Sequence, residues 1–233
     1  MSFPIRHIIR RFRRNEDGTT IVELAICISL FLLILFAVLD FGRLGYNWVM
    51  AEKAMQRAVR IAAVRPPICA NVPLYHSRAN PNDPTYSAGT NCRDVPGLCA
   101  VVNTQCTLAG ASGTDGTATA TEIWNSIRVL LPDDATNANV LIRYEYDPRL
   151  GFLGGPYVPL LTAELVGTAG QTGYNDFMFS FVTPLSALAA TAGYSDSQQL
   201  YADDSNTNVG AQIPFPDVSV SLPAEDMNLG SRG

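Results

Sequence analysis

The chain has 233 residues, 47% of them hydrophobic and 16% charged, so it can bury a core, although the apolar excess is concentrated in one segment. Residues 1–65 hold ten basic and five acidic side chains, whereas residues 66–233 hold six basic and sixteen acidic. A C-terminal part this acidic excludes nucleic-acid binding by phosphate neutralisation, which needs clustered Lys and Arg. His7 and His76 are the only imidazoles, and no nucleophile motif, metal cluster or cofactor fingerprint accompanies them. The expectation is therefore a non-enzymatic protein with no catalytic residue, no metal, no cofactor and no small-molecule substrate.

The first 18 residues are a basic leader containing Arg6, Arg10, Arg11, Arg13 and Arg14. Ile21 to Leu39 then reads IVELAICISLFLLILFAVL, with Glu23 its only charge. As a helix this run is about 28 Å long, the thickness of a bilayer's hydrocarbon layer. Positive charge just before a span keeps that end in the cytoplasm, which puts the C-terminal part outside. A cleaved secretory signal would have a shorter apolar region followed by a small-x-small site, and Leu39-Asp40-Phe41-Gly42 offers none. The RRFRR run does not sit in a twin-arginine export context, and its charge serves topology instead.

A polar and small stretch, Asp40 to Asn47, interrupts the apolar run. Beyond it Ala51, Ala54, Met55, Ala58, Val59, Ala62 and Ala63 fall at the 3-4 spacing of one helix face, opposite Glu52, Lys53, Gln56, Arg57 and Arg60. The default for such a stripe is packing on the chain's own domain, and its alanines would also allow another helix to approach closely. Pro66 and Pro67 end the helix, because proline lacks an amide donor and disfavours helical geometry at Arg65. An unbroken helix from Thr19 to Val64 would have 46 residues and measure about 69 Å, with Gly42 and Gly45 as points of bending.

At the start of this helix lies Asn15-Glu16-Asp17-Gly18-Thr19-Thr20-Ile21-Val22-Glu23. A charged leader, a glycine, four residues and then a glutamate at the edge of a long apolar helix resemble the N-terminus of type IV pilin precursors. The resemblance implies cleavage after Gly18 by a prepilin peptidase, leaving Thr19 first and Glu23 fifth. An ionised acid near lipid costs a few kcal/mol unless partnered, and the new amino group at Thr19, in the same or a neighbouring subunit, is a natural partner. The rival reading is local: Thr20-x-x-Glu23 is also a capping box that satisfies free amides at a helix start.

A closer likeness is to the TadE-like family, minor pilins of the tight-adherence (Flp) pilus system. Gly18-Thr-Thr-Ile-Val-Glu-Leu-Ala25, the aliphatic run and Leu39-Asp40-Phe41-Gly42-Arg43 resemble that family's glycine, Val-Glu-aromatic-Ala, span and Asp-Phe-Gly-Arg. Leu24 departs from the commoner aromatic and Ser29 from a common proline. The likeness covers residues 15 to 65. It implies an inner-membrane or pilus-associated subunit with its C-terminal domain in the periplasm, whose partners are the prepilin peptidase, other pilins and the pilus-assembly proteins, with roles in adherence and biofilm formation. The alternative is a membrane-anchored adhesin or surface-binding module outside the pilus.

Residues 66–233 are expected to form one extracytoplasmic domain, making the chain α+β: leader 1–18, helix 19–65, then an antiparallel sheet domain. Strands are expected at Ile127 to Leu131, Val140 to Tyr146, Asp176 to Val182 and Val218 to Leu222. The second alternates most clearly, with Val140, Ile142, Tyr144 and Tyr146 on one face. Ala109 to Thr121, made of small residues, and Gly151 to Pro159 read as loops.

Cys27 lies in the span as an apolar residue. Cys69, Cys92, Cys99 and Cys106 lie outside, where disulfides form, and permit two bridges in three connectivities. Their gaps lack the short paired spacing of a zinc site. Asp203 to Asn208 alternates oxygen side chains as a calcium loop does, but Phe215 stands where an EF-hand needs its bidentate acid, which favours a solvated loop. His76, near several prolines, reads as a loop residue.

Overall fold

The computed structural model describes residues 19–82, 85–167, 177–184, 212–225 and 227. Helix α1 (Thr19–Val64) is one element of 46 residues. The expected interruption at Asp40 to Asn47 does not break it: Asp40, Gly42, Arg43, Gly45 and Asn47 dilute the apolar run, yet every residue of the stretch has a helical backbone. Polarity ends the apolar run without ending the hydrogen-bond ladder.

The two halves of α1 solve different burial problems. From residue 21 to 39 nearly every side chain is exposed, whereas Ala51, Ala54, Met55, Ala58, Val59, Ala62 and Ala63 are each at most 1% exposed. The alanine stripe is thus used for packing within the chain's own domain. Near its end, Ala63 O accepts from the backbone N–H groups of Glu225 and Met227, at 3.1 and 3.2 Å, satisfying a carbonyl that the helix leaves free.

Helix α2 (Gly113–Ile127) occupies most of the stretch read as a flexible loop, and its C-terminal residues occupy the start of the strand expected at Ile127 to Leu131. Both are corrections. The small residues serve close approach rather than flexibility: a Cβ at Gly116 would lie 2.9 Å from Pro67 O and 3.1 Å from Ile68 O. Thr117 and Thr121 satisfy their hydroxyls by donating to Gly113 O and Thr117 O. Ile123, Ile127 and Leu131 recur every four residues and are all buried, which is the period of a helix face, although residues 128–130 are turn and Leu131 a bend. Across from α2, Arg65 pairs with Glu122 at 3.0 Å and Arg57 donates to Ser126 O.

A four-stranded antiparallel sheet completes the α+β architecture. Its strands are β1 (Thr104–Thr107), β2 (Val140–Glu145), β3 (Leu160–Leu165) and β6 (Ser219–Pro223), in the order β1-β2-β3-β6. A second sheet pairs β4 (Met178–Ser180) with β5 (Gln212–Pro214). Register places Cys106, Ile142, Ala163 and Val220 in one cross-strand row and Thr104, Tyr144, Leu161 and Leu222 in another. Val140, Ile142, Tyr144, Leu161 and Ala163 are fully buried on that face. The other face is polar, with Gln105, Arg143, Thr162 and Ser221 in line; Arg143 pairs with Glu164 at 3.0 Å and Thr162 shares a hydrogen bond with Ser221. The strand expected at Val140 to Tyr146 is observed one residue shorter, that at Val218 is shifted by one residue, and the one at Asp176 is shorter, as β4.

By compactness the chain divides into two units. Among the described residues the break falls after Arg43, and residues 180–184 and 212 group with the first unit, while the rest of α1, α2 and the four-stranded sheet form the second.

Within the second unit, Tyr144 joins the sheet to the segment after α1, because its hydroxyl accepts from the Ile68 backbone N–H at 3.1 Å. Burial pushes its phenol up to about 12 from 10.0, opposed by that hydrogen bond. Tyr157, whose hydroxyl donates to Val102 O, is likewise pushed up by burial to about 12. A phenol whose folded pKa exceeds its unfolded one contributes its full stabilisation below the unfolded value and loses it as pH climbs to the folded one. Unfolding free energy is therefore expected to fall as pH rises from 10 to 12, a fall that denaturant titrations would register. Tyr144→Phe should flatten it in part while lowering stability at neutral pH by about 1–3 kcal/mol, because the buried Ile68 N–H loses its acceptor.

Candidate functional site

α1 is described from Thr19 onward, and Glu23 follows one turn after Thr19. Residues four apart share a helix face about 6 Å apart along the axis. The Glu23 side chain is exposed, and among the described residues nothing pairs with it. Gly18 lies outside the described residues, as do the arginine-rich leader and Asp203 to Asn208. The geometry presents a lone carboxylate at the edge of an apolar rod, on the face of the residue that cleavage after Gly18 would make the N-terminus.

The rod has the properties of a membrane span. Among the described residues it is the one helix long and apolar enough to cross a bilayer, and none of its most apolar window is buried. Ser29 meets its hydroxyl's need internally, donating to Ala25 O at 2.8 Å, as a hydroxyl in hydrocarbon must. Cys27 is a free, exposed thiol on the same stretch.

At the far end of the apolar run the polarity pattern inverts. Asp40 is only 2% exposed, while Phe41, next to it, is exposed. The Asp40 carboxylate accepts from the Val182 backbone N–H at 3.3 Å and from the Thr183 hydroxyl. Phe41 and Phe181 meet edge to face with ring centroids 6.1 Å apart. Sequence alone presents Asp40 as part of a polar interruption. The signal pointing further is its place in Asp40-Phe41-Gly42-Arg43, directly after the span.

A helix with Gly18 before it, Glu23 near its start and Asp40-Phe41 at the end of its apolar run is a specific combination. Residues 18–60 match the TadE-like protein family. The TadE-like match covers α1 up to Arg60, all but its last turn, including the alanine stripe as far as Val59, and it agrees with the resemblance carried by Gly18, Glu23 and Asp40 to Arg43. It points to a protein associated with the tight-adherence (Flp) pilus. No curated protein and no solved structure matches the chain. Outside the TadE-like segment the domain is therefore understood from its own structure.

In that domain Cys69 is bonded to Cys106 and Cys92 to Cys99. The first bridge ties the segment after α1 to β1, and the second closes a short loop in a small core with Leu98, Leu153, Val95 and Tyr146. His76 is a loop residue buried beside them. One of its nitrogens and the sulfurs of Cys92 and Cys99 lie within 4.8 Å of one another. A disulfide has no thiolate to offer a metal, so in this state the trio is a packing cluster. Its Nε2 accepts from Val158 N–H at 3.3 Å, its ring lies against Tyr157 at 5.0 Å, and burial lowers its pKa. Gly151 makes room for the imidazole: a Cβ there would come within 2.1 Å of Nε2. The imidazole thus fills space in the loop core between Gly151 and Tyr157.

Proposed function

We propose that this chain is a minor pilin of the tight-adherence (Flp) system, anchored once in the inner membrane with its leader in the cytoplasm and residues 66–233 in the periplasm. A prepilin peptidase removes residues 1–18, and the new amino group of Thr19 pairs with Glu23 in its own or a neighbouring subunit. The role is structural, in pilus biogenesis and adherence, with other pilins and the assembly proteins as partners. The observation carrying this reading is the Glu23 carboxylate, without a partner among the described residues, one helical turn from Thr19, on an exposed apolar helix within a TadE-like segment. An ionised acid beside lipid calls for a cation, and proteolysis after Gly18 creates one at the right place on the helix.

Mass spectrometry of the membrane form tests the processing step. In cells containing the peptidase, the wild-type chain is expected to begin at Thr19, and Gly18→Val to retain the whole leader. A wild-type chain that keeps Met1 beside an active peptidase overturns the reading.

A further inference from the structure

A carboxylate withdrawn from water needs donors, and Asp40 finds both in one short segment far along the chain, the Val182 N–H and the Thr183 hydroxyl. Immediately beside this bond pair, Phe41 and Phe181 stack edge to face. Two consecutive residues of α1 therefore clasp three consecutive residues, Phe181 to Thr183. The clasp carries an apolar surface outward: Val182 is 73% exposed and Phe41 59%. That surface continues the apolar run, because Ile34, Val38 and Phe41 follow at i, i+4 and i+7 on one helix face, and Ile34 and Val38 are exposed too.

One exposed valine needs no explanation, but Val182 beside Phe41, Val38 and Ile34 makes a contiguous apolar patch at the end of a span, and such a patch marks a surface that meets a partner or a membrane. Phenylalanine rings, which carry no polar group, sit on the lipid side of the zone that ends a span. A neighbouring subunit could also cover such a patch, but the stripe runs without interruption into the surface that the bilayer itself would cover. Continuity with the span therefore selects lipid as the occupant.

We infer that Phe41, Phe181 and Val182 form a wedge seated in the outer headgroup region of the bilayer, and that Asp40 is the latch that holds it there. This inference rests on the proposed membrane span. The latch fixes the depth of α1 and keeps residues 181–183 at the membrane surface. Asp40 is a positioning residue, acting through the segment it binds.

The test uses the full chain reconstituted singly in phosphatidylethanolamine and phosphatidylglycerol nanodiscs, with Cys27→Ala so that an introduced cysteine is the free thiol. Nitroxide labels at Val182→Cys, Leu30→Cys and Glu145→Cys are compared for collision with oxygen, which concentrates in lipid, and with a water-soluble nickel chelate. Labels at 182 and 30 are expected to favour oxygen, and the label at 145 to favour nickel. Asp40→Ala should move the 182 label to the nickel-accessible level of 145 while leaving the label at 30 in lipid. Thr183→Val, which removes one donor and keeps the side-chain shape, should move it part of the way and guards against misfolding of the aspartate variant.

A 182 label that matches 145 in the parent protein, with 30 in lipid, overturns the wedge alone. A 182 label unmoved by both substitutions overturns the latch. A nickel-accessible label at 30 overturns the membrane-span reading, and the wedge with it.

Discussion

Full-length protein carrying Glu23→Ala is expected to lose its leader normally yet to reach sheared pili at about one-hundredth of the parental level. Removing one partner of a desolvated ion pair costs about 3–5 kcal/mol, because the other charge is left without compensation, and 1.4 kcal/mol is a factor of ten in an equilibrium constant. The stranded charge here would be the amino group of Thr19. Glu23→Gln should fall between the two, keeping a hydrogen-bond acceptor and losing the charge, while Glu23→Asp tests reach. If Glu23 served only to cap the helix, its loss would cost about 1 kcal/mol of local helix stability and leave the fibres intact. Quantitative immunoblotting of sheared fibres and of the membrane fraction separates these outcomes, and parental fibre levels in Glu23→Ala would refute the pairing.

Removing the Cys69–Cys106 bridge by a double alanine replacement is expected to lower the unfolding free energy of the second unit by about 4 kcal/mol. Its cysteines are 37 residues apart, and the restriction a cross-link places on the unfolded chain grows with the loop it closes. The Cys92–Cys99 bridge spans 7 residues, and its removal should cost about 2 kcal/mol on the same reasoning. Against a typical total of about 5–15 kcal/mol, the first loss brings the domain near its threshold. It would also free the segment that carries the Ile68 N–H onto Tyr144 and packs under Gly116. Urea unfolding of the detergent-solubilised full chain, followed by near-ultraviolet circular dichroism, gives the ranking. Equal effects of the two replacements would show that loop entropy is not what the longer bridge supplies.

Much of the architecture was legible because it depends on local periodicity. The spacing of Ala51, Ala54, Met55, Ala58, Val59, Ala62 and Ala63 matched the face the structure buries, and the alternation at Val140, Ile142 and Tyr144 matched the inner face of β2. β3 has the same alternation in Leu161, Ala163 and Leu165, but the strand is short and follows directly on the turn-rich run Gly151 to Pro159. β1, Thr-Gln-Cys-Thr, carries almost no strand signal and exists because β2 pairs with it and Cys69 is bonded to it. α2 was misread because its glycines and threonines lower helix propensity and outweigh the alanines among them, whereas here the absence of a side chain at Gly116 admits the backbone at Pro67 and Ile68, and tertiary packing decided the outcome.

The N-terminal carboxylate at Glu23 belongs to the first kind of information and the buried one at Asp40 to the second. Charge in a long apolar run is visible in one dimension, and so are the arginines before it, the glycine ahead of Thr19 and the length of the span, because solvation by lipid acts on each residue in order along a helix. The partners of Asp40 come from residues 182 and 183, the partner of Cys69 from β1, and the tight fit of Gly116 from the turn after α1. Each of these depends on two distant segments meeting at hydrogen-bond or van der Waals range, and no pattern within either segment encodes the other.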